Sequence, residues 1–223
     1  MASARVRAGD RYPLALLAAF TAIWAVLAIA PWYRQDWLLE NMLVFVALAL
    51  LIRFYGSLRF SNFAYTCLFV FFVLHEVGAH YTYSEVPWRE WLAALGGRDD
   101  WLPEGRNHYD RFVHFAYGLL IVPAAWELIA ARMTPRGMWR WLMPLLFMMS
   151  HSVIYELVEW LAAELFGGEL GVAYLGTQGD VWDSQKDMAL AACGALLGLV
   201  LVAIRQRWRG AAATARGAAT GTA

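Results

Sequence analysis

The sequence predicts an all-α fold: a polytopic membrane helical bundle with six transmembrane helices and both termini cytoplasmic. Three observations carry this. The 223-residue chain is 61% hydrophobic and 16% charged, against about 45–50% and about 25% in soluble domains. Six apolar segments approach the ~20 residues that a spanning helix needs. Lysine and arginine gather on alternate connections between them.

The first segment runs about 13–31, after Arg5, Arg7 and Arg11, and stops at Pro31. No small-residue cleavage pattern follows a short apolar stretch, so it reads as a retained helix and not a signal peptide. The second runs about 37–54 and the third about 61–82, through LFVFFVLHEVGAHYTY. The fourth covers about 110–131, the fifth about 138–166, long enough to tilt or protrude, and the sixth about 183–206. Residues 1–209 thus form one six-helix domain, and the Ala/Gly/Thr-rich stretch 210–223 reads as a disordered cytoplasmic tail. The one long connection, 83–109, holds Trp88, Trp91, Leu92 and Leu95 at helical spacing behind Pro87. A short amphipathic helix in the membrane interface, or a packing helix, is expected there.

With the N-terminus inside, the cytoplasmic side collects Arg5, Arg7, Arg11, Arg53, Arg59, Arg132, Arg136, Arg140, Arg205, Arg207, Arg209 and Arg216, which is 12 of the 18 basic residues. The outer side has the other 6: Arg34, Arg89, Arg98, Arg106, Arg111 and Lys186. Net charge is zero, so nothing suggests a nucleic-acid partner. Cys67 and Cys193 lie inside apolar segments without CxxC spacing and are expected to be buried, inert thiols.

All five histidines sit in acidic or aromatic motifs at segment ends: HEVGAH (75–80), NHYDRFVH (107–114) and SHSVIYELVEW (150–160). A fourth motif, GTQGDVWDSQKDM (176–188), carries Asp180, Asp183 and Asp187. Ionisable groups in or near a bilayer are costly, which makes them candidates for function. The alternating direction of the segments brings all four motifs to the outer leaflet. Residues three or four apart share a helix face. Glu76/His80, Asp110/His114 and Asp183/Asp187 are at i, i+4, and Glu156/Glu159 are at i, i+3.

Inward-facing carboxylate and imidazole pairs of this kind build metal sites in helical bundles. The expected ligands are Glu76, His80, Asp110, His114, Asp183 and Asp187. The donor set suits a divalent metal such as Zn, Mn, Fe or Mg; without thiolates it does not suit Cu(I) or iron–sulfur chemistry. Glu156 or Glu159 is the expected catalytic base. Around them, His75, Arg106, His108, Arg111, His151, Tyr155, Gln178, Asp180 and Gln185 are expected to orient ligands or to contact substrate, with Arg106 or Arg111 placed to bind phosphate. HEVGAH is not the zinc-protease HExxH, because His75 and His80 are five apart and do not share a face. Several residues have purely structural readings. Asp180 and Asn107 are candidate helix caps, Gly194/Gly198 form a packing stripe, and Glu127 is expected to pair with Arg132 or to snorkel. For the whole cluster the alternative is a hydrogen-bond and salt-bridge network with Arg106, Arg111 and Lys186.

HYTYSEVPW from His80, RNHYDRFVHF from Arg106, YELVEW from Tyr155 and LGTQGDVWDSQKDM from Leu175 resemble the YjdF-like family of bacterial inner-membrane proteins, a domain of unknown function. The likeness covers most of residues 60–200. Segments four to six are also similar, more faintly, to VanZ-like membrane proteins. The resemblance implies a polytopic inner-membrane protein; it supplies no activity and no catalytic residue. The residues themselves point to a metal-dependent hydrolase or transferase acting on a lipid headgroup or lipid-linked phosphate at the outer leaflet. The alternatives are a transporter or ion-coupled permease, for which the inner half offers little beyond Glu127, and a structural or regulatory membrane protein with a polar network. The bilayer is the one sure partner, and no oligomeric state follows from the sequence.

Overall fold

The computed structural model describes residues 8–97, 105–166, 168, 171 and 175–220. Part of the 83–109 connection, with Arg98, and the basic Arg5 and Arg7 lie outside the described residues. All regular structure among the described residues is helical. It comprises α1 (Arg11–Leu27), α2 (Arg34–Phe54), α3 (Asn62–Tyr81), α4 (Trp88–Ala94), α5 (Tyr109–Met133), α6 (Trp139–Phe166) and α7 (Asp183–Thr220).

Helices α2, α3, α5, α6 and α7 are long and apolar enough to cross a membrane, while α1, with 17 residues, is a shorter apolar helix. It is shorter than the predicted 13–31 because Ala30 takes a left-handed φ of 48° just before Pro31. Helix α7 continues through Thr220, where composition predicts a disordered tail. The stretch 211–220 is rich in alanine, the best helix former. Helix α4 is the short helix expected in the long connection, with Pro87 at its N-cap.

Helix α3 sits at the centre, with α1, α2 and α5 packed on it. Phe20 of α1 meets Phe72 of α3 edge to face at 6.0 Å. The closest pair is α5 with α7, which face each other across small residues. A side chain on Gly118 would run into the carbonyl oxygen of Ala191, and one on Gly194 into that of Phe115. Gly194 and Gly198 are therefore packing residues, as their GxxxG spacing predicts. Helix α6 packs on α5 and α7, and its other face exposes Ile154, Leu157, Val158 and Leu161, each at least half exposed. In a bilayer that face meets acyl chains.

Glu127 does not pair with Arg132. Its carboxylate accepts from the Ser61 amide at 2.7 Å and the Ser61 hydroxyl at 2.6 Å, holding the N-terminus of α3 to α5. Arg132 donates to the Ser57 hydroxyl instead. Cys67 is buried, but Cys193 is exposed on an apolar helix face, so the expectation of two buried thiols holds for one.

Candidate functional site

The N-terminus of α2, the C-terminus of α3, the N-terminus of α5, the C-terminal half of α6 and the N-terminus of α7 meet at one end of the bundle. Among α2, α3, α5, α6 and residues 175–176 ahead of α7 lies a cavity of about 50 Å³. A water needs about 10–15 Å³ of such space, so the cavity holds a few waters or one small polar group. His75, His114, His151, Asp110, Glu159 and Tyr155 line it. So do Asp36 and Glu40 of α2, which the sequence reading passed over.

On the α5–α7 side, Asp110, His114 and Asp187 each offer one ligand atom, all within 4.8 Å of one another. Two of the three come from one i, i+4 pair. His114 Nε2 is 3.5 Å from Asp110 Oδ1, and its Nδ1 is 3.8 Å from Glu156 Oε1. Both are ion-pair separations, too long for hydrogen bonds. Asp187 Oδ1 is buried and has no hydrogen-bond partner. A buried carboxylate oxygen left open toward an imidazole and a second carboxylate fits a cation. Polar groups buried without a partner are otherwise rare.

On the α2–α3 side the polar groups are chained. Tyr83 folds back so that its hydroxyl lies 2.6 Å from His75 Nδ1. Two features allow this. Thr82 adopts a left-handed φ of 56°, uncommon for a β-branched residue, and Gly78 leaves room for the ring. A Cβ at Gly78 would come within 2.5 Å of the Tyr83 ring. His75 Nε2 lies 3.2 Å from the Glu40 carbonyl oxygen, which can only accept. That nitrogen therefore carries the hydrogen, and Nδ1 is left to accept from Tyr83. Burial pushes the Tyr83 hydroxyl well above its ordinary pKa, so it keeps the proton it donates. Tyr155 donates to Glu40 Oε2 at 3.2 Å, and Thr82 donates to Asp36.

Glu76 and His80 are not part of the cavity lining. Consecutive residues point about 100° apart on a helix. His75 takes the cavity face, so Glu76 and His80 fall on the next one. Glu76 is fully buried beside Asn41, and its carboxylate makes no hydrogen bond that meets normal geometry. His80 Nδ1 donates to the Leu27 carbonyl at 2.7 Å and closes the end of α1.

The rim residues are spent on each other. Arg106 donates to Asp183, with Asp110 3.8 Å away, and also to the Thr177 carbonyl at 2.5 Å. Arg111 donates to Asp180, and Lys186 reaches the same carboxylate at 2.6 Å. The Lys186 and Arg111 contacts hold the Asp180 carboxyl well below the usual carboxylate range. Asp183, expected as a ligand, is thus an arginine partner, while the Nε of each arginine is buried without a hydrogen-bond partner. Asp180 also accepts from the Trp182 amide, the capping role its position suggests. Asn107 caps α5 through the Tyr109 amide at 3.0 Å. Gln178 pairs with the Asn107 backbone at 2.8 and 3.1 Å. His108 sits at the N-cap of α5 and Gln185 is exposed; neither lines the cavity.

The family described as predicted membrane protein (DUF2238) matches residues 12–208. The inner membrane protein YjdF of Escherichia coli (strain K12) is 34% identical over 174 residues, covering 76% of this chain and 78% of that protein. No solved structure matches the fold at a significant level. With nearly the whole helical bundle matched, the chain belongs to the DUF2238, YjdF-like family of multi-pass bacterial inner-membrane proteins.

Proposed function

We propose that this protein is a metal-dependent hydrolase or transferase of the outer leaflet, acting on a lipid headgroup or lipid-linked phosphate. The observation that carries the reading is the Asp110, His114 and Asp187 triad, with its ligand atoms within 4.8 Å. Three mixed nitrogen and oxygen ligands leave a divalent cation an open position, the pattern of catalytic rather than structural sites. When bound, such a cation supplies Lewis acidity at a phosphoryl or acyl oxygen.

The chain's own residues do the rest. Glu156, 3.8 Å from His114 Nδ1, orients the imidazole. Glu159 and Glu40 face the cavity and are the candidate bases. The Asp180, Asp183, Arg106, Arg111 and Lys186 network fixes the start of α7, and with it Asp187, against α5. Transport is less well supported, because Glu127 at the other end of the bundle is used in holding Ser61.

The reading includes a topology: six spans, with α1 as a short first one, both termini cytoplasmic and the cavity at the outer face. The 12-to-6 division of basic residues supports it. A reporter fused after Arg207 should read as cytoplasmic.

The deciding experiment is elemental analysis of the protein purified in mild detergent under metal-replete conditions. A stoichiometric divalent metal, lost in His114→Ala and Asp187→Asn while both variants stay folded, is the expected result. A metal-free wild type, together with unfolding of both variants, would favour a purely structural network and end the enzyme reading.

A further inference from the structure

We infer that the cavity opens sideways into the bilayer between α2 and α6, and that this portal admits the ammonium headgroup of an outer-leaflet phospholipid. The inference rests on the outer-leaflet reading above and names the route and the substrate class.

The helix packing creates the portal. Helix α2 packs on α3, and α6 packs on α5 and α7, with no extended packing of α2 against α6 among the described residues. Yet both helices line the same cavity. The 3.2 Å hydrogen bond from Tyr155 to Glu40 reaches across from one to the other. On α6, His151, Tyr155 and Glu159 are spaced i, i+4, i+8 and form one stripe. It lies between the buried Ser152/Glu156 face and the exposed Ile154/Val158 face. His151 is exposed and Tyr155 and Glu159 half-buried. A polar stripe half open on a lipid-facing helix is expensive unless it serves something polar that arrives from the lipid side. Fixed dry packing would have buried it.

Size and charge select the visitor. About 50 Å³ accommodates one small polar group, not a whole lipid, so the acyl chains stay in the bilayer. Asp36, Glu40, Asp110 and Glu159 line the cavity, and no lysine or arginine does. Two residues of the lining carry a buried polar atom without a partner: Ser152 Oγ, on a residue 3% exposed, and Asp36 Oδ1, on one 1% exposed. These acceptors suit an ammonium, which has only donors to offer. A cation at Asp110, His114 and Asp187 leaves Glu40 and Glu159 on the portal side for this role. The aromatic side chains of Tyr117 and His151, hydrogen-bonded at 2.9 Å and stacked, also line the cavity.

The test uses the full-length protein in nanodiscs doped with a phosphatidylethanolamine whose acyl chain carries a photoactivatable group. Adducts are mapped by peptide mass spectrometry, and metal content is measured on the same samples. Adducts should concentrate on the facing surfaces of α2 and α6. Unlabelled phosphatidylethanolamine should compete and phosphatidylglycerol should not. Leu43→Trp, which plugs the cavity from α2, should abolish the focus while metal content stays. Glu40→Gln with Glu159→Gln should cut the ethanolamine preference about tenfold, the loss expected for one charged hydrogen bond. Adducts spread evenly around the lipid-facing helices, or equal competition by phosphatidylglycerol, would overturn the portal even if metal is bound. A focused, ethanolamine-selective pattern on a metal-free protein would keep the portal and remove the metal reading. If Leu43→Trp fails to fold, the isosteric Gln pair still decides, since an unchanged preference refutes the ammonium site.

Discussion

Gly118→Ala should weaken metal binding without touching a ligand. Gly118 lies one turn after His114 on α5, and the residue it meets, Ala191, lies one turn after Asp187 on α7. The small-residue contact is thus the rung of the ladder next to the proposed metal site. A Cβ at Gly118 would overlap the Ala191 carbonyl oxygen and stand 2.6 Å from the Ala195 nitrogen. Carbon reaches its optimal contact near 3.5 Å, so the 2.6 Å separation alone asks the helices to part by roughly 0.9 Å, and the nearer Ala191 oxygen asks for more. The obstruction is backbone, which cannot rotate away.

Two costs follow. Overpacking of this kind typically destabilises by about 1–3 kcal/mol. Zinc takes nitrogen and oxygen ligands at about 2.0–2.2 Å, so no two of them can stand further apart than roughly 4.4 Å. The triad's ligand atoms lie within 4.8 Å of one another, close to that limit, so the site has little room to widen. Parting α5 from α7 removes that slack. The affinity should fall about 10–100-fold, the range for losing groups that orient ligands. The assays are competition against a chromophoric chelator and thermal unfolding in detergent. Gly56→Ala, where a Cβ meets nothing within 4 Å, is the matched control and should change neither. If Gly118→Ala retains wild-type metal affinity and stability, the α5–α7 contact does not set the geometry of the site.

Three further outcomes can be checked. His80→Ala should leave bound metal at the wild-type level, because His80 is occupied with the Leu27 carbonyl; loss of metal would return it to the ligand set. Glu127→Ala should lower stability by about 1–3 kcal/mol, since the Ser61 amide loses a charged acceptor, while metal titration stays unchanged; an unaltered melting curve would show that solvent replaces the carboxylate. Asp180 has its folded pKa lowered by Lys186 and Arg111. Its contribution is therefore fully present above the ordinary aspartate range and is lost only as pH falls through the lowered value. Wild type and Asp180→Asn should differ in thermal stability at pH 7 and converge in strong acid; a difference that persists there would exclude the ion pairs as its source.

Much of the site follows from the primary structure, and the misses have physical causes. Asp110/His114 and Asp187 could be found because i, i+4 spacing fixes a face and the alternating helix direction fixes a depth. Asp36 and Glu40 carry the same i, i+4 signal. A second apolar segment that starts at residue 37 leaves Asp36 outside the helix and Glu40 without its pair. Glu76/His80 against His75 was a different kind of error. Adjacent residues on one helix offer faces about 100° apart, and each face of HEVGAH is plausible. The choice is made by Tyr83, which can reach only the His75 ring across Gly78.

The distribution of charge shows what pairing adds to a count of residues. The motifs predict more acids than bases at this end of the bundle, and a count cannot say which acids go unneutralised. Arg106 goes to Asp183, while Arg111 and Lys186 share Asp180. These partners are at least six residues apart and up to 77, beyond what helical spacing can reveal. The bases are therefore consumed at the rim, on the first turn of α7 and the turn before it. The deficit falls one layer further in, where Asp187, Glu156, Glu159 and Glu40 have no arginine or lysine partner among the described ion pairs. Like charges buried close together at low dielectric coexist only by sharing protons or holding a cation. The rim pairs thus do two things at once. They fix Asp187 in place against His114, and by absorbing the nearby positive charge they leave the inner acids in need of one.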